Sequence, residues 1–454
     1  MTAGFATRVE ARAGHPMSPH QIFEVTSKRE MALSRLLVAY VSAGLVFMLL
    51  PGTFLGVWNL ISISNQKTAQ AISPAWIQAH GHAQVFGWIG SFILGIGFYS
   101  IPKLRQLEPF GLARAWLCWA MWVAGVSLRW IAAVYSVYWR VLLPFSGLLE
   151  LLAFLIFLRT VAGHRPEDSR KPRLESWTLV VIAGTLGFLT ALCMNLFESI
   201  LLATSAATAA LTPPFDQKYL VVIAWAFMVP FVWGFSAKWL PVFLGLRETG
   251  STTLLVAVIV QMAGVLFAVI GALDFGALLL LLASLLAIWA LRLFHRTQQP
   301  AKIKGLHWTW PTFIRISYGW LIMAAVLGIW ASLAANPIGV AGASRHALTV
   351  GFIAGMVFSI GQRVLPAFAG MKKLWSPRLM LLASSLLTIG CTLRVSCEVL
   401  AYQGYALWAW RILPCSAVIE LSAVTAFALD MAVSFASSKA STQQAGIAVQ
   451  ASAS

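Results

Sequence analysis

Three of the eight histidines in this 454-residue chain, His80, His82 and His346, lie inside long apolar runs and near the start of each run. An imidazole below a membrane surface is costly unless it is hydrogen-bonded or ligated, so an ionisable group there is a functional candidate by default. Two histidines facing each other from separate helices can clamp haem iron from both sides. His80 and His82 are two residues apart, which puts them about 200° apart around a helix, so they cannot readily share one target. Either one ligates while the other is its neighbour, or each serves a different centre. The plainer alternative is interfacial imidazoles that snorkel to the headgroup layer.

The elements that must position these residues are transmembrane helices. The chain is 59% hydrophobic and only 10% charged, with a mean hydropathy of +0.80. Soluble domains carry roughly 25% charged residues, so this chain cannot cover a water-soluble surface. Spans need about twenty apolar residues each. On that rule the sequence predicts an all-α polytopic bundle of about twelve helices, near 33–58, 76–101, 110–133, 136–162, 176–204, 218–245, 252–271, 275–294, 313–335, 344–368, 377–401 and 405–434. The seventh and eighth should form a hairpin turning around Asp274. Residues 1–31 read as a cytoplasmic tail, 32–435 as the membrane domain, and 436–454, rich in Ala, Ser and Gln, as a disordered tail. No short-period repeat is visible.

The net charge of +17 invites a nucleic-acid reading. The placement of the charges opposes it, because the basic residues fall in short loops between spans rather than on one soluble face. Arg8, Lys28, Lys103, Arg105, Arg165, Arg170, Lys171, Arg173, Lys238, Arg247, Lys302, Lys372 and Lys373 gather on one side, and the opposite loops offer little beyond Lys67, Arg140, Lys218 and Arg345. The positive-inside rule then places both termini in the cytoplasm of a bacterial inner membrane, and all three histidines toward its outer face. Membrane lipid is the implied partner. The five cysteines lie in apolar stretches without a CxxC pair, as buried free thiols would. His15, His20, His164, His295 and His307 lie in tails, loops or helix edges, where solvated side chains are expected.

Glycines and aromatics follow the first two histidines: Phe86, Gly87, Trp88, Gly90, Gly95, Gly97, Phe98 and Tyr99. The glycines remove bulk where a macrocycle would press on the backbone, although helix packing explains them equally. The stretch Trp76-Ile-Gln-Ala-His80-Gly-His82-Ala-Gln-Val-Phe86-Gly87-Trp88, running on to Pro102, resembles the HxH…FG signature of the NnrS family. Arg345-His346-Ala-Leu-Thr-Val-Gly351, followed by Arg363-Val364, resembles the same family's later segment. That family comprises polytopic proteins that bind haem and copper and are associated with bacterial responses to nitric oxide. A broader similarity is to subunit I of haem–copper oxidases and nitric-oxide reductases, which holds a low-spin haem between histidines of its second and tenth helices. The resemblance implies His80 and His346 as the preferred axial pair of a haem b, with His82 as the other candidate ligand.

Two departures bear on chemistry. The sixth and seventh helices carry no histidine, whereas an oxidase-type copper or non-haem iron centre needs three imidazoles there, so oxygen reduction is not expected. Arg363-Val-Leu-Pro-Ala-Phe-Ala-Gly370 also lacks a histidine that many NnrS-like sequences carry after that arginine, which leaves at most one firm metal site and counts against copper.

Other charges in or near spans are Glu150, Glu198, Glu398, Glu420, Arg129, Arg394 and Arg411. Arg394 and Glu398, four apart on one helix, are placed to pair locally. Arg129, Arg140, Arg345 and Arg411 are candidate partners for haem propionates, because guanidinium binds carboxylate bidentately; Arg345, beside His346, ranks first. The expected function is a haem-binding role in nitric-oxide metabolism or resistance, with nitric oxide as ligand or substrate and a quinol or cytochrome as electron donor. The alternatives are a nitric-oxide reductase-like enzyme and a transporter for metal or another small solute. Against transport, the conspicuous polar groups cluster at one end of the bundle rather than at its midplane.

Overall fold

A computed structural model of the chain describes residues 19–104, 110–163, 175–368, 371 and 374–453, with side chains inside that range from 28 to 437 except at Leu104. The first 18 residues of the expected tail lie outside it, as do Arg105, Arg165, Arg170, Lys171, Arg173, Lys372 and Lys373. So do His15 and His164.

Among the described residues, twelve helices are long and apolar enough to cross a membrane: α1 (Lys28–Gln66), α2 (Pro74–Lys103), α3 (Leu112–Tyr135), α4 (Trp139–Gly163), α5 (Ser176–Ser205), α6 (Pro213–Leu244), α7 (Ser251–Val269), α8 (Leu273–Leu291), α9 (Trp310–Leu333), α10 (Ile338–Phe368), α11 (Pro377–Tyr402) and α12 (Ala409–Ser437). The chain is therefore a multi-pass membrane protein. In lipid a helix satisfies its own backbone hydrogen bonds, which is why this all-α solution follows from the composition.

Sequence limits and structure agree closely, with differences at ends. Helix extends upstream of α1 to Pro19, and α12 continues as helix to Ala453, through the stretch expected to be disordered. The α7–α8 turn is Ile270-Gly271-Ala272, with Gly271 at φ +102, so Asp274 falls in the first turn of α8 and not in the loop. The φ of Gly271 explains the choice of residue, since side chains rarely adopt that conformation.

Packing follows chain order in three arcs: α11–α12–α1–α2, α3–α4–α5–α6 and α7–α8–α9–α10. Each arc ends on a helix that faces the centre. The central helices α2, α6 and α10 bury 78%, 67% and 67% of their most apolar window, against 33–50% for the other nine. The outer helices show apolar side chains to lipid instead, as Leu278, Leu282, Leu285 and Trp289 do along α8.

The central helices share an irregularity. In α2, α6 and α10 an α-helical segment of 9 residues leads into a π-helical one, at Ala83–Gly90, Val222–Met228 and Ala347–Ala354. α1 carries another at Met48–Phe54, where Pro51 removes a backbone donor. Such wide turns shift the register of the backbone ladder and are frequent at functional sites.

Candidate functional site

His82 and His346 are each the last residue of the α-helical segment that precedes the π-helical turn, and His80 lies two residues earlier. At about 1.5 Å per residue all three sit roughly 9–12 Å along their spans. The three thus occupy similar positions along their helices. His346 is one detail that differs: α10 begins at Ile338, not near 344, so the histidine occupies its third turn rather than its first. The start Pro337-Ile-Gly-Val-Ala-Gly-Ala is too weakly apolar to register as a span by hydropathy.

The two α2 histidines face different neighbours, as their angular separation requires. His80 points toward α1, where its Nδ1 donates to the Gly52 carbonyl at 2.8 Å. A carbonyl can only accept, so the proton is on Nδ1 and Nε2 keeps its lone pair. Gly56 admits the ring: a Cβ there would stand 2.6 Å from His80 Cε1. His346 is arranged the same way, with Nδ1 donating to the Gly342 carbonyl at 2.9 Å. His346 and Arg394 are near enough to His80 to interact with it electrostatically. Neither Nε2 has a protein partner among the described residues, and 27% of the His346 side chain stays accessible.

His82 points toward α4 and is used differently. Its Nε2 donates to Glu150 Oε1 at 2.9 Å, with side-chain exposures of 5% and 0%. Its ring stacks on Phe86 at a centroid distance of 4.6 Å. Only its Nδ1 lone pair is left unused.

The surroundings of His346 carry charge. Glu398 Oε2 lies 3.2 Å from His346 Nδ1 and 3.3 Å from Arg394 Nε. The Nδ1 proton is directed at Gly342, so Glu398 acts on the imidazole as an adjacent anion. The Arg394–Glu398 pair was expected from spacing; its sharing with His346 was not. α10 presents small residues to α11, and a side chain at Gly342 would collide with the Glu398 carboxylate. Arg394 Nη1 and Glu420 Oε1 are buried without protein hydrogen-bond partners, and Glu420 also interacts electrostatically with His346.

Of the four arginines considered as anion partners, two are committed elsewhere. Arg129 is buried and donates to Ser199 Oγ at 3.0 Å. Arg140 donates to the carbonyls of Ala203 and Ala206 and stacks on Trp139. Arg345 and Arg411 are exposed at the same end, and Arg345 interacts electrostatically with Glu398 and Asp216. Beside His346, the Arg345 guanidinium makes no hydrogen bond to protein among the described residues.

The donor atoms of His80 and His346 are of the kind that hold an iron cofactor. The imidazoles on α2 and α10, each fixed through Nδ1 to a backbone acceptor, keep their Nε2 lone pairs free; hydrogen bonds of that kind set the tautomer and ring orientation of metal-binding histidines. Copper is less well served, since no group of three or more His, Cys, Asp or Glu side chains among the described residues is placed to hold an ion. All five cysteines are free, and Cys193 and Cys415 are exposed on outer helices rather than buried as expected. His295 packs edge-on against Trp289, and His307 bonds Thr309.

A membrane bundle of three arcs around α2, α6 and α10, with histidines on two of those helices, is the haem–copper oxidase type of fold. It matches a haem–copper terminal oxidase solved as a dimer by cryo-EM, with a TM-score of 0.69 at 11% identity, covering 89% of this chain and 84% of that one. The chain belongs to the NnrS family, whose model spans residues 36–439. No curated protein matches it.

Proposed function

We propose that this NnrS-family protein binds one haem b between α2 and α10, where Nε2 of His80 and of His346 would hold its iron. The observation that carries this is the pairing of the Nδ1 protons with Gly52 and Gly342, which leaves both Nε2 lone pairs available. Arg345 and Arg394 supply positive charge for the propionates. His82, with Nε2 already on Glu150, supports α2 from the other side.

Bound there, haem would supply reversible one-electron chemistry, and two imidazole donors would leave it no open position for gas. The residues fit electron transfer in nitric-oxide metabolism or tolerance, with electrons from a quinol or cytochrome donor, better than direct turnover of nitric oxide. The site would lie toward the periplasmic face of a bacterial inner membrane. Lys103 and Lys238 stand near the far ends of α2 and α6, on the side that the positive-inside rule assigns to the cytoplasm.

Absorption spectra of the detergent-purified protein, oxidised and dithionite-reduced, test the reading. A Soret band with sharp reduced α and β bands, lost in His80→Ala and in His346→Ala, is expected. A colourless protein after haem-replete expression would overturn it.

A further inference from the structure

The site around His82 repeats the site around His346, and the repeat is written in the sequence once the structure supplies its register. In α2 and α10 the residues run His82-Ala-Gln-Val-Phe-Gly87-Trp-Ile and His346-Ala-Leu-Thr-Val-Gly351-Phe-Ile. The next helix of each set, α3 and α11, carries Gly125-Val-Ser-Leu-Arg129 and Gly390-Cys-Thr-Leu-Arg394. The one after, α4 and α12, carries Leu143-Pro-Phe-Ser146-Gly-Leu-Leu-Glu150 and Leu413-Pro-Cys-Ser416-Ala-Val-Ile-Glu420.

Contacts agree with the register. A Cβ on Gly125 would meet Glu150 Cγ at 2.8 Å and the Ser146 carbonyl at 3.1 Å; one on Gly390 would meet Glu420 Cγ at 2.7 Å and the Ser416 carbonyl at 3.2 Å. His82, Arg129 and Glu150 therefore correspond to His346, Arg394 and Glu420. On the facing wall, the segment of α6 aligned with α2 puts Tyr219 where α2 has His80.

The two pockets differ in what fills them. Phe86, where α10 has Val350, is fully buried in the second pocket, packed on His82, Phe188, Tyr219 and Phe227. A flat aromatic ring thus takes space that a planar group would need. Polar atoms around it are left without partners. Ser146 Oγ, Glu150 Oε2, both amide atoms of Asn195 and the Tyr219 hydroxyl are buried and unbonded by protein. Ser146, Glu150 and Asn195 have no exposure at all, and Tyr219 has 4%.

They belong to one place. Glu150 and Tyr219 both interact electrostatically with Arg129. Arg129 bonds Ser199, one turn from Asn195, and a Cβ on Gly147 would lie 3.5 Å from Asn195 Nδ2. Leaving buried polar atoms unpaired is costly, and native proteins satisfy such groups with ordered water that makes about two to four hydrogen bonds. The Arg129 guanidinium beside Glu150 disfavours a second cation.

We infer that the buried polar cluster enclosed by α2 to α6 is a second, repeated site that binds ordered water, held by Glu150, Asn195, Ser146 and Tyr219, with Phe86 standing where the first site would take its prosthetic group. The water assignment does not depend on haem in the first site; only the comparison with Phe86 rests on that reading. Water there completes the hydrogen bonding of Glu150, so that the carboxylate can hold His82 and fix the helix that carries His80.

The test is a cryo-EM map of the full chain in nanodiscs at a resolution that shows water. Density peaks within hydrogen-bond distance of Glu150 Oε2, Asn195 and the Tyr219 hydroxyl are expected. Tyr219→Phe should lose the peak nearest that hydroxyl, and Asn195→Leu should lose those nearest the amide. Absorption spectra report the first pocket separately. A dry pocket whose side chains bond one another would overturn the inference. So would a single strong peak accompanied by stoichiometric copper on elemental analysis that His82→Ala removes.

Discussion

The backbone carbonyl of Gly52 on α1 accepts a hydrogen bond from Nδ1 of His80 on α2 at 2.8 Å, across a contact so close that Gly56 has no room for a methyl group. The imidazole is thus oriented by a neighbouring helix rather than by its own. A ring held in that way is pre-set for a ligand on its other nitrogen.

Gly56→Ala should therefore displace the His80 ring and lower haem content several-fold on haem-replete expression. Gly81→Ala, where an added Cβ meets nothing within 4 Å, is the matched control and should retain haem. A pyridine haemochrome assay on both proteins reads the difference, and equal haem in the two would count against His80 as a ligand.

His82→Ala separates the roles of the α2 histidines. Haem should stay, but Glu150 would be left buried without its partner. Breaking a buried pair from one side costs about 3–5 kcal/mol, so the melting temperature in detergent should fall markedly. Glu150→Gln alone, which can still accept a hydrogen bond from His82 Nε2, should lower it less.

Glu398 places negative charge beside His346 and so favours the oxidised state of iron ligated there. Glu398→Gln should raise the haem midpoint potential by on the order of 50 mV, close to the 59 mV that makes a tenfold change in a one-electron equilibrium. A redox titration followed in the α band measures it. A lower or unchanged potential would argue that His346 is not an axial ligand.

Glu175, just ahead of α5, tests electrostatics away from the pocket. Its hydrogen bonds from Lys238 Nζ (2.9 Å) and Trp177 Nε1 (2.6 Å) hold its carboxyl below the usual range. A lowered folded-state value means stability present above the unfolded pKa of about 4.3 and lost as pH falls through the folded one. The group is 60% exposed, so solvent screening limits the effect to a few tenths of a kcal/mol, about that of a surface ion pair. Glu175→Gln should leave the melting temperature at neutral pH within a degree or so of the parent's.

Span count and the three histidines inside spans were legible because a lipid environment imposes length and hydropathy on every helix. The partner of His82 was not, because Glu150 lies 68 residues away and nothing local marks it. The start of α10 was missed because its first turns are small residues packed against α11, where glycine gives contact without hydropathy. The repeat escaped notice for a similar reason. Its copies lie in α2–α4 and α10–α12, far apart in the chain, and share only a few fixed positions per helix. Arg394–Glu398 was visible as a spacing, whereas its junction with His346 required knowing that α10 packs on α11.

The arc α11–α12–α1–α2 joins the two ends of the polypeptide, and the His80–His346 pocket lies where that arc meets α10. A ribosome makes α1 and α2 well before α11 and α12. During synthesis His80 must wait in the bilayer beside a half-built wall, and the pocket has no far side until almost the whole chain has been inserted. Whatever occupies it has to be delivered to a finished bundle, through an opening between helices or during a late closing step, and nascent chains cut short before α10 should carry none.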